Sequence, residues 1–152
     1  MKKLSALFLS ATLLLSLSGC GVEQKPELKV YSFSGKNEVC SISDGVAVIS
    51  EDYETLYGGK LEVSEGDFQD ITSYTMTFFV GEEPVLSHAA ADTTGSFELA
   101  EQQIGQITGD VFSKEAEEKL EQNFFFELKT QNDKGETNTF TIPMEVREIT
   151  GK

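Results

Sequence analysis

Few residues in this chain have the type and spacing to do covalent chemistry. Of 152 residues, two are Cys and one is His. Cys20 closes the run Leu17-Ser18-Gly19-Cys20, in which two small residues precede a thiol. Sulfur is the softest side-chain nucleophile, so a thiol is the side chain best suited to alkylation to a thioether. Cys40 has no flanking motif and reads as a small buried hydrophobe in a strand, with an exposed thiol or an intermolecular bridge as the alternative. His88 would need a nucleophile and an orienting group to act as a base, and only Cys40 is on offer. The expectation is no catalytic residue and no metal site.

Carboxylates are abundant, with 26 acidic residues against 12 basic ones and a formal charge of −14. Glu51, Asp52 and Glu54 fall in one loop, and Glu62, Glu65, Asp67 and Asp70 in and around another. Neither follows the alternating Asp-x-Asp-x-Asp-Gly pattern of a calcium loop, so a solvated, solubilising surface is expected, with calcium the alternative. A glycosidase pair would need a cleft, and the absence of Trp removes one platform for sugar stacking. No phosphate loop, dinucleotide fingerprint, Gly-x-Ser-x-Gly elbow or His-Glu-x-x-His occurs. The acidic balance excludes nucleic acid as the expected partner, because phosphate binding needs a basic surface.

The surroundings of Cys20 narrow its chemistry. Met1-Lys2-Lys3 is a short basic start, and Leu4 to Leu17 is an uncharged run of fourteen residues. A spanning helix needs about 20 apolar residues, so the run is short for a permanent anchor and has the form of a secretory leader. Together with Leu17-Ser18-Gly19-Cys20 it resembles the lipobox signal of bacterial lipoproteins. The resemblance implies that Cys20 Sγ carries a diacylglycerol and that cleavage falls between Gly19 and Cys20. Acylation of the new amine, with palmitate among the chains, would follow. No other cofactor is expected. Two acyl chains anchor stably where one is marginal, each buried CH₂ contributing about 0.8 kcal/mol.

On that reading residues 1–19 are removed and 133 remain, with a charge of −16 because Lys2 and Lys3 leave. So acidic a chain is repelled by an anionic lipid surface and should stand off it. Residues 20–27 would be the lipidated Cys and its tether, in which seven extended residues reach at most about 25 Å. Pro26 disfavours helix there. Residues 28–150 then form a single domain.

The periodicity of that domain is mostly two. Strands are expected over Leu28–Ser34, Glu38–Ser43 and Gly45–Ser50, the last two about a turn at Ser43-Asp44-Gly45. Tyr57-Gly58-Gly59 reads as a further turn before a strand over Lys60–Ser64. In Ile71–Val80 the residues Tyr74, Met76, Phe78 and Val80 share a face, opposite Thr75 and Thr77. Gly81-Glu82-Glu83-Pro84 is a hairpin loop, with Val85–Ala91 returning. Weaker strands are expected over Ser96–Ala100 and Ile104–Thr108. Ser113 can cap one thin helix near 114–122, whose acidic first turn suits the helix dipole. Asn123–Gln131 and Thr139–Ile149 form a long amphipathic hairpin about Asn132-Asp133-Lys134-Gly135, with Pro143 marking an edge strand. Many short strands and one short helix predict a mainly β chain, a β-sandwich. Immunoglobulin-like topology is the first expectation and a barrel the second.

Alternation places Phe125 opposite the pair Phe124 and Phe126, and Phe79 opposite Phe78. Either a covered outer face or an exposed patch for a partner follows, and Phe125 and Phe79 are the candidate patch. Tyr31-Ser32-Phe33-Ser34-Gly35, Ile42-Ser43-Asp44-Gly45-Val46, Tyr57-Gly58-Gly59-Lys60-Leu61 and Phe126-Glu127-Leu128-Lys129-Thr130 together resemble small uncharacterised lipoproteins of low-GC Gram-positive bacteria. The resemblance implies attachment to the outer face of the cytoplasmic membrane, or to the outer membrane in a two-membrane cell. It implies no activity. The expected function is a membrane-anchored, non-enzymatic binding or structural module of the cell envelope, its partner an envelope protein or wall polymer. An inhibitor or immunity-type lipoprotein against a cationic toxin or enzyme, and a carboxylate-based envelope enzyme, are the alternatives.

Overall fold

A computed structural model describes residues 28–64, 68, 70–91, 99 and 101–150. The expected leader 1–19, Gly19, Cys20 and the tether 20–27 lie outside the described residues. So do Glu65, Asp67 and, apart from Leu99, the strand expected over Ser96–Ala100.

The period-two sequence forms eleven strands among the described residues: β1 Lys29–Lys36, β2 Cys40–Ile49, β3 Glu54–Tyr57, β4 Lys60–Val63, β5 Ile71–Val80, β6 Glu83–Ala91, β7 Glu101–Gln103, β8 Gln106–Thr108, β9 Phe124–Asn132, β10 Thr137–Pro143 and β11 Glu145–Glu148. One helix, α1, spans Lys114–Lys119. The smaller sheet runs β10-β9-β5-β6; the larger runs β11-β1-β2-β3-β8, with β4 on β2 and β7 on β4. Every pairing is antiparallel. The chain is a β-sandwich. The smaller sheet has the strand order of the G-F-C-C′ sheet of immunoglobulin variable-type domains. The larger is built differently, since β2 is flanked by β3 and β4, which precede β5 in the chain.

Aromatic rings join the layers. Phe33 of β1 meets Phe78 of β5 edge-on at 5.4 Å and Phe124 of β9 at 4.9 Å. Phe78 lies 5.0 Å from Phe126, and both are fully buried. Each such side chain contributes roughly 1.5–3 kcal/mol by leaving water. On β5 the residues Tyr74, Met76, Phe78 and Val80 are all buried, as alternation requires. Ile71 is buried as well because the pairing with β9 slips between Ile71 and Ser73. That slip returns an odd-parity residue to the inner face.

The helix starts as expected. Ser113 Oγ accepts the Ala116 N–H at 3.1 Å and donates to Glu83 at 2.6 Å, tying the cap to the β5–β6 turn. Only Ala116 and Leu120 enter the core. The helix ends at Lys119 rather than at 122, where Gln122 and Asn123 N–H groups fold back onto the Lys119 carbonyl.

Two strand expectations need correction. Thr139–Ile149 is two strands in different sheets: β10 ends at Pro143, and β11 pairs with β1. The Met144 N–H bonds the Phe124 carbonyl at 2.9 Å at the corner. Gly35 makes room there, since a Cβ at that position would lie 2.6 Å from the Pro143 carbonyl. Alternation survived the corner because both strands present their inner faces to one core.

The second correction concerns the two turns. Ser43-Asp44-Gly45 does not separate strands; β2 is continuous through it. Nor does Gly58-Gly59 reverse the chain. Val46 pairs with Tyr57 and Ser43 with Lys60, so β3 and β4 keep one register along β2. Tyr57 likewise pairs with Gln106 and Lys60 with Gln103, so β7 and β8 keep one register too. The interruptions at 44–45, 58–59 and 104–105 therefore line up as a crease across three strands. Asp44, Gly59 and Gly105 each adopt positive φ there, at 58°, 77° and 93°. Such angles suit glycine, and among other residues Asn and Asp.

Candidate functional site

The smaller sheet presents its outer face with Phe79 and Phe125 on it. The two are cross-strand partners, stacked with ring centroids 5.1 Å apart and planes 13° from parallel. Both are half-buried. Pro143 pairs with Phe125 and Pro84 with Phe79, so an apolar strip Pro143–Phe125–Phe79–Pro84 crosses all four strands. The next row is polar, Thr141–Glu127–Thr77–Ser87, with Thr77 Oγ1 and Ser87 Oγ 3.0 Å apart. β10 and β6 are the edges of this sheet. A proline on each edge strand agrees with the expectation for Pro143, because proline lacks the ladder donor. The structure thus brings together the two phenylalanines named from alternation. It adds Pro84, which the sequence places in a hairpin loop, and sets Pro143 beside Phe125.

The other chemistry-bearing residues are not brought together. Cys40 is buried in β2, where burial pushes its thiol up to about 11 and its S–H donates to Asn37 Oδ1 at 3.5 Å. A neutral thiol in that setting is a packing group. His88 is exposed on β6, in the other sheet, with the Tyr74 ring 6.1 Å away.

The acidic loops separate by role. Glu51 and Asp52 are exposed. Glu54 Oε2 instead accepts the N–H groups of Val111 at 2.7 Å and Phe112 at 2.8 Å, clamping the segment that leads into α1. Glu62 pairs with Lys60 at 2.7 Å. The Asp70 carbonyl accepts the Asp133 N–H at 3.1 Å. Among the described residues no group of three or more His, Cys, Asp or Glu is placed to hold a metal ion. Sequence reading missed the clamp at Glu54 because nothing local distinguishes it from its acidic neighbours.

Comparison with protein-family models, with curated proteins and with solved structures finds no match for this chain.

Proposed function

We propose that the chain is a membrane-anchored extracytoplasmic lipoprotein, and that its β-sandwich is a non-enzymatic binding module engaging an envelope protein through the Pro143–Phe125–Phe79–Pro84 strip. The observation that carries the reading is the stacked Phe79–Phe125 pair, set outside the core beside a row of hydroxylated and charged residues. Aromatic side chains on a surface supply contact area at small entropic cost, which is why they concentrate at interfaces. The run Leu17-Ser18-Gly19-Cys20 after an uncharged stretch supports the anchor. Lipid on Cys20 needs no protein segment in the bilayer.

A mature charge of −16 favours a basic partner and fast, salt-sensitive encounter. That charge also favours the second reading, an inhibitor or immunity-type protein against a cationic toxin or enzyme. Detergent-cloud extraction and intact mass test the anchor: the protein should enter the detergent phase without residues 1–19 and with acyl mass on Cys20. Crosslinked pull-down from solubilised membranes tests the binding face. Wild type should retain a partner that the Phe79→Ser/Phe125→Ser variant loses. Equal capture by both would remove the strip from the reading. Protection of cells against a cationic toxin would decide for the second reading.

A further inference from the structure

The crease of the larger sheet opens outward as a groove of about 400 Å³, lined by Asp44, Val46, Tyr57, Lys60, Gln103 and Gln106. Its shape follows from the register. In a regular strand, residues three apart face opposite ways. Here Tyr57 and Lys60, and likewise Gln103 and Gln106, all line the outer side, because each interruption adds one residue and resets the parity. Tyr57 and Gln106 thus form one wall, and Lys60 and Gln103 the other. Gly59 and Gly105 between them leave the floor bare; a Cβ at Gly105 would meet nothing within 4 Å.

The lining restricts what can bind. Lys60 Nζ is held between Glu62 at 2.7 Å and Glu101 at 3.1 Å. Its charge is already answered, which disfavours an anionic ligand such as a phosphate. A cation would meet the Lys60 ammonium in the same lining as Asp44, while Glu62 and Glu101 are already engaged by that ammonium. What remains is hydrogen-bonding capacity without a free cation, two amides and one carboxylate, beside a tyrosine that is 40% exposed. Amides and carboxylates bridge neighbouring hydroxyls, and an aromatic ring takes the apolar C–H face of a pyranose. Strands lie about 4.8 Å apart, so the groove crosses roughly 10 Å, the length of a disaccharide.

We propose that this groove binds a short stretch of a neutral, hydroxyl-rich glycan, with Tyr57 as stacking platform and Asp44, Gln103 and Gln106 as hydrogen-bonding groups. The site lies on the opposite sheet from the phenylalanine strip and does not depend on it. The test uses the full lipidated protein in a detergent without a sugar headgroup, titrated with tetra-N-acetylchitotetraose and followed by calorimetry and amide shifts. A second arm sediments the same protein with purified peptidoglycan sacculi. Wild type should bind in at least one arm; the soluble arm alone identifies a free oligosaccharide, and the sacculi identify a wall strand. Tyr57→Ala and Gln103→Ala/Gln106→Ala should each bind about tenfold more weakly with an unchanged melting temperature. Phe79→Ser/Phe125→Ser should bind as wild type does. Failure of both probes to bind wild type, or undiminished binding by the groove variants, overturns the proposal.

Discussion

Glu54 is the acidic residue whose removal should matter most to stability. Its Oε2 accepts two main-chain donors, Val111 N–H at 2.7 Å and Phe112 N–H at 2.8 Å, from residues that are themselves buried. Hydrogen bonds to a charged acceptor are worth more than neutral ones, and a buried donor left unpaired costs about 1–3 kcal/mol. Glu54 is half-buried, so water can partly replace it after truncation. Glu54→Ala should therefore cost about 2–4 kcal/mol, near the lower end for two orphaned donors. For a domain of this length roughly 4 °C of melting temperature accompany each kcal/mol, giving a fall of about 10 °C. Glu54→Gln keeps an acceptor oxygen and loses only the charge, so it should cost about 1 kcal/mol. Glu51→Ala and Asp52→Ala, which remove exposed carboxylates, should stay within about 0.5 kcal/mol of wild type. Urea denaturation read by two probes measures all four. Amide exchange at Val111 and Phe112 should accelerate in Glu54→Ala alone. A Glu54→Ala variant within 1 kcal/mol of wild type, or one no worse than Glu54→Gln, would refute the clamp.

Three further outcomes are expected. Phe125→Ser loses one stacked pair on a half-buried face and should cost about 1–2 kcal/mol in urea denaturation; a loss above 4 kcal/mol would place Phe125 in the core. Gly59→Ala should destabilise more than Gly105→Ala in calorimetric scans, since both have positive φ but a Cβ at Gly59 would lie 2.8 Å from the Gly45 nitrogen. The Gly105 change should cost about 1 kcal/mol, the backbone strain alone. Burial holds the Cys40 thiol near 11, so between its unfolded value and that pH the folded chain keeps a proton that the unfolded chain releases. Stability is then full below the unfolded value and falls as pH rises, by about 2 kcal/mol up to pH 10.5. Cys40→Ala should lose that part of the slope, read from urea midpoints at pH 8 and 10.5.

Alternation made the faces legible. Tyr74, Met76, Phe78 and Val80 on one side of β5, and Phe124, Phe126 and Leu128 on one side of β9, are buried as their parity requires. The outward positions of Phe79 and Phe125 follow from the same rule, and an edge strand at Pro143 follows from its missing N–H donor. Neighbours were not legible. Parity says which way a side chain points and nothing about which strand lies beside it. The pairing of Phe79 with Phe125, or of β11 with β1 in the other sheet, is set by long-range packing. Glu54 shows the same limit at short range, because its partners are main-chain donors 57 and 58 residues away.

Asp44-Gly45 and Gly58-Gly59 misled for a different reason. Both are turn dipeptides by composition, and both use the same backbone freedom that a turn uses. Asp44-Gly45 spends it inside β2, where the pairing with β1 slips, and Gly58-Gly59 spends it between two strands that keep one register on β2. The aligned interruptions have one physical consequence on each side of the sheet. On the inner side, Gly45 sits beneath the Phe33 ring, and a Cβ at Gly58 would come within 2.7 Å of Ile104 Cγ2 and 3.1 Å of Phe78 Cε2. The main chain therefore dips toward the core where side chains are absent, and Phe33, Ile104 and Phe78 fill the space against it. On the outer side the same dip is the groove walled by Tyr57, Lys60, Gln103 and Gln106. Curvature needed for packing and concavity available for binding are thus one feature. A substitution that fills the inner side disturbs the outer one, whereas Tyr57 can be changed without touching the core.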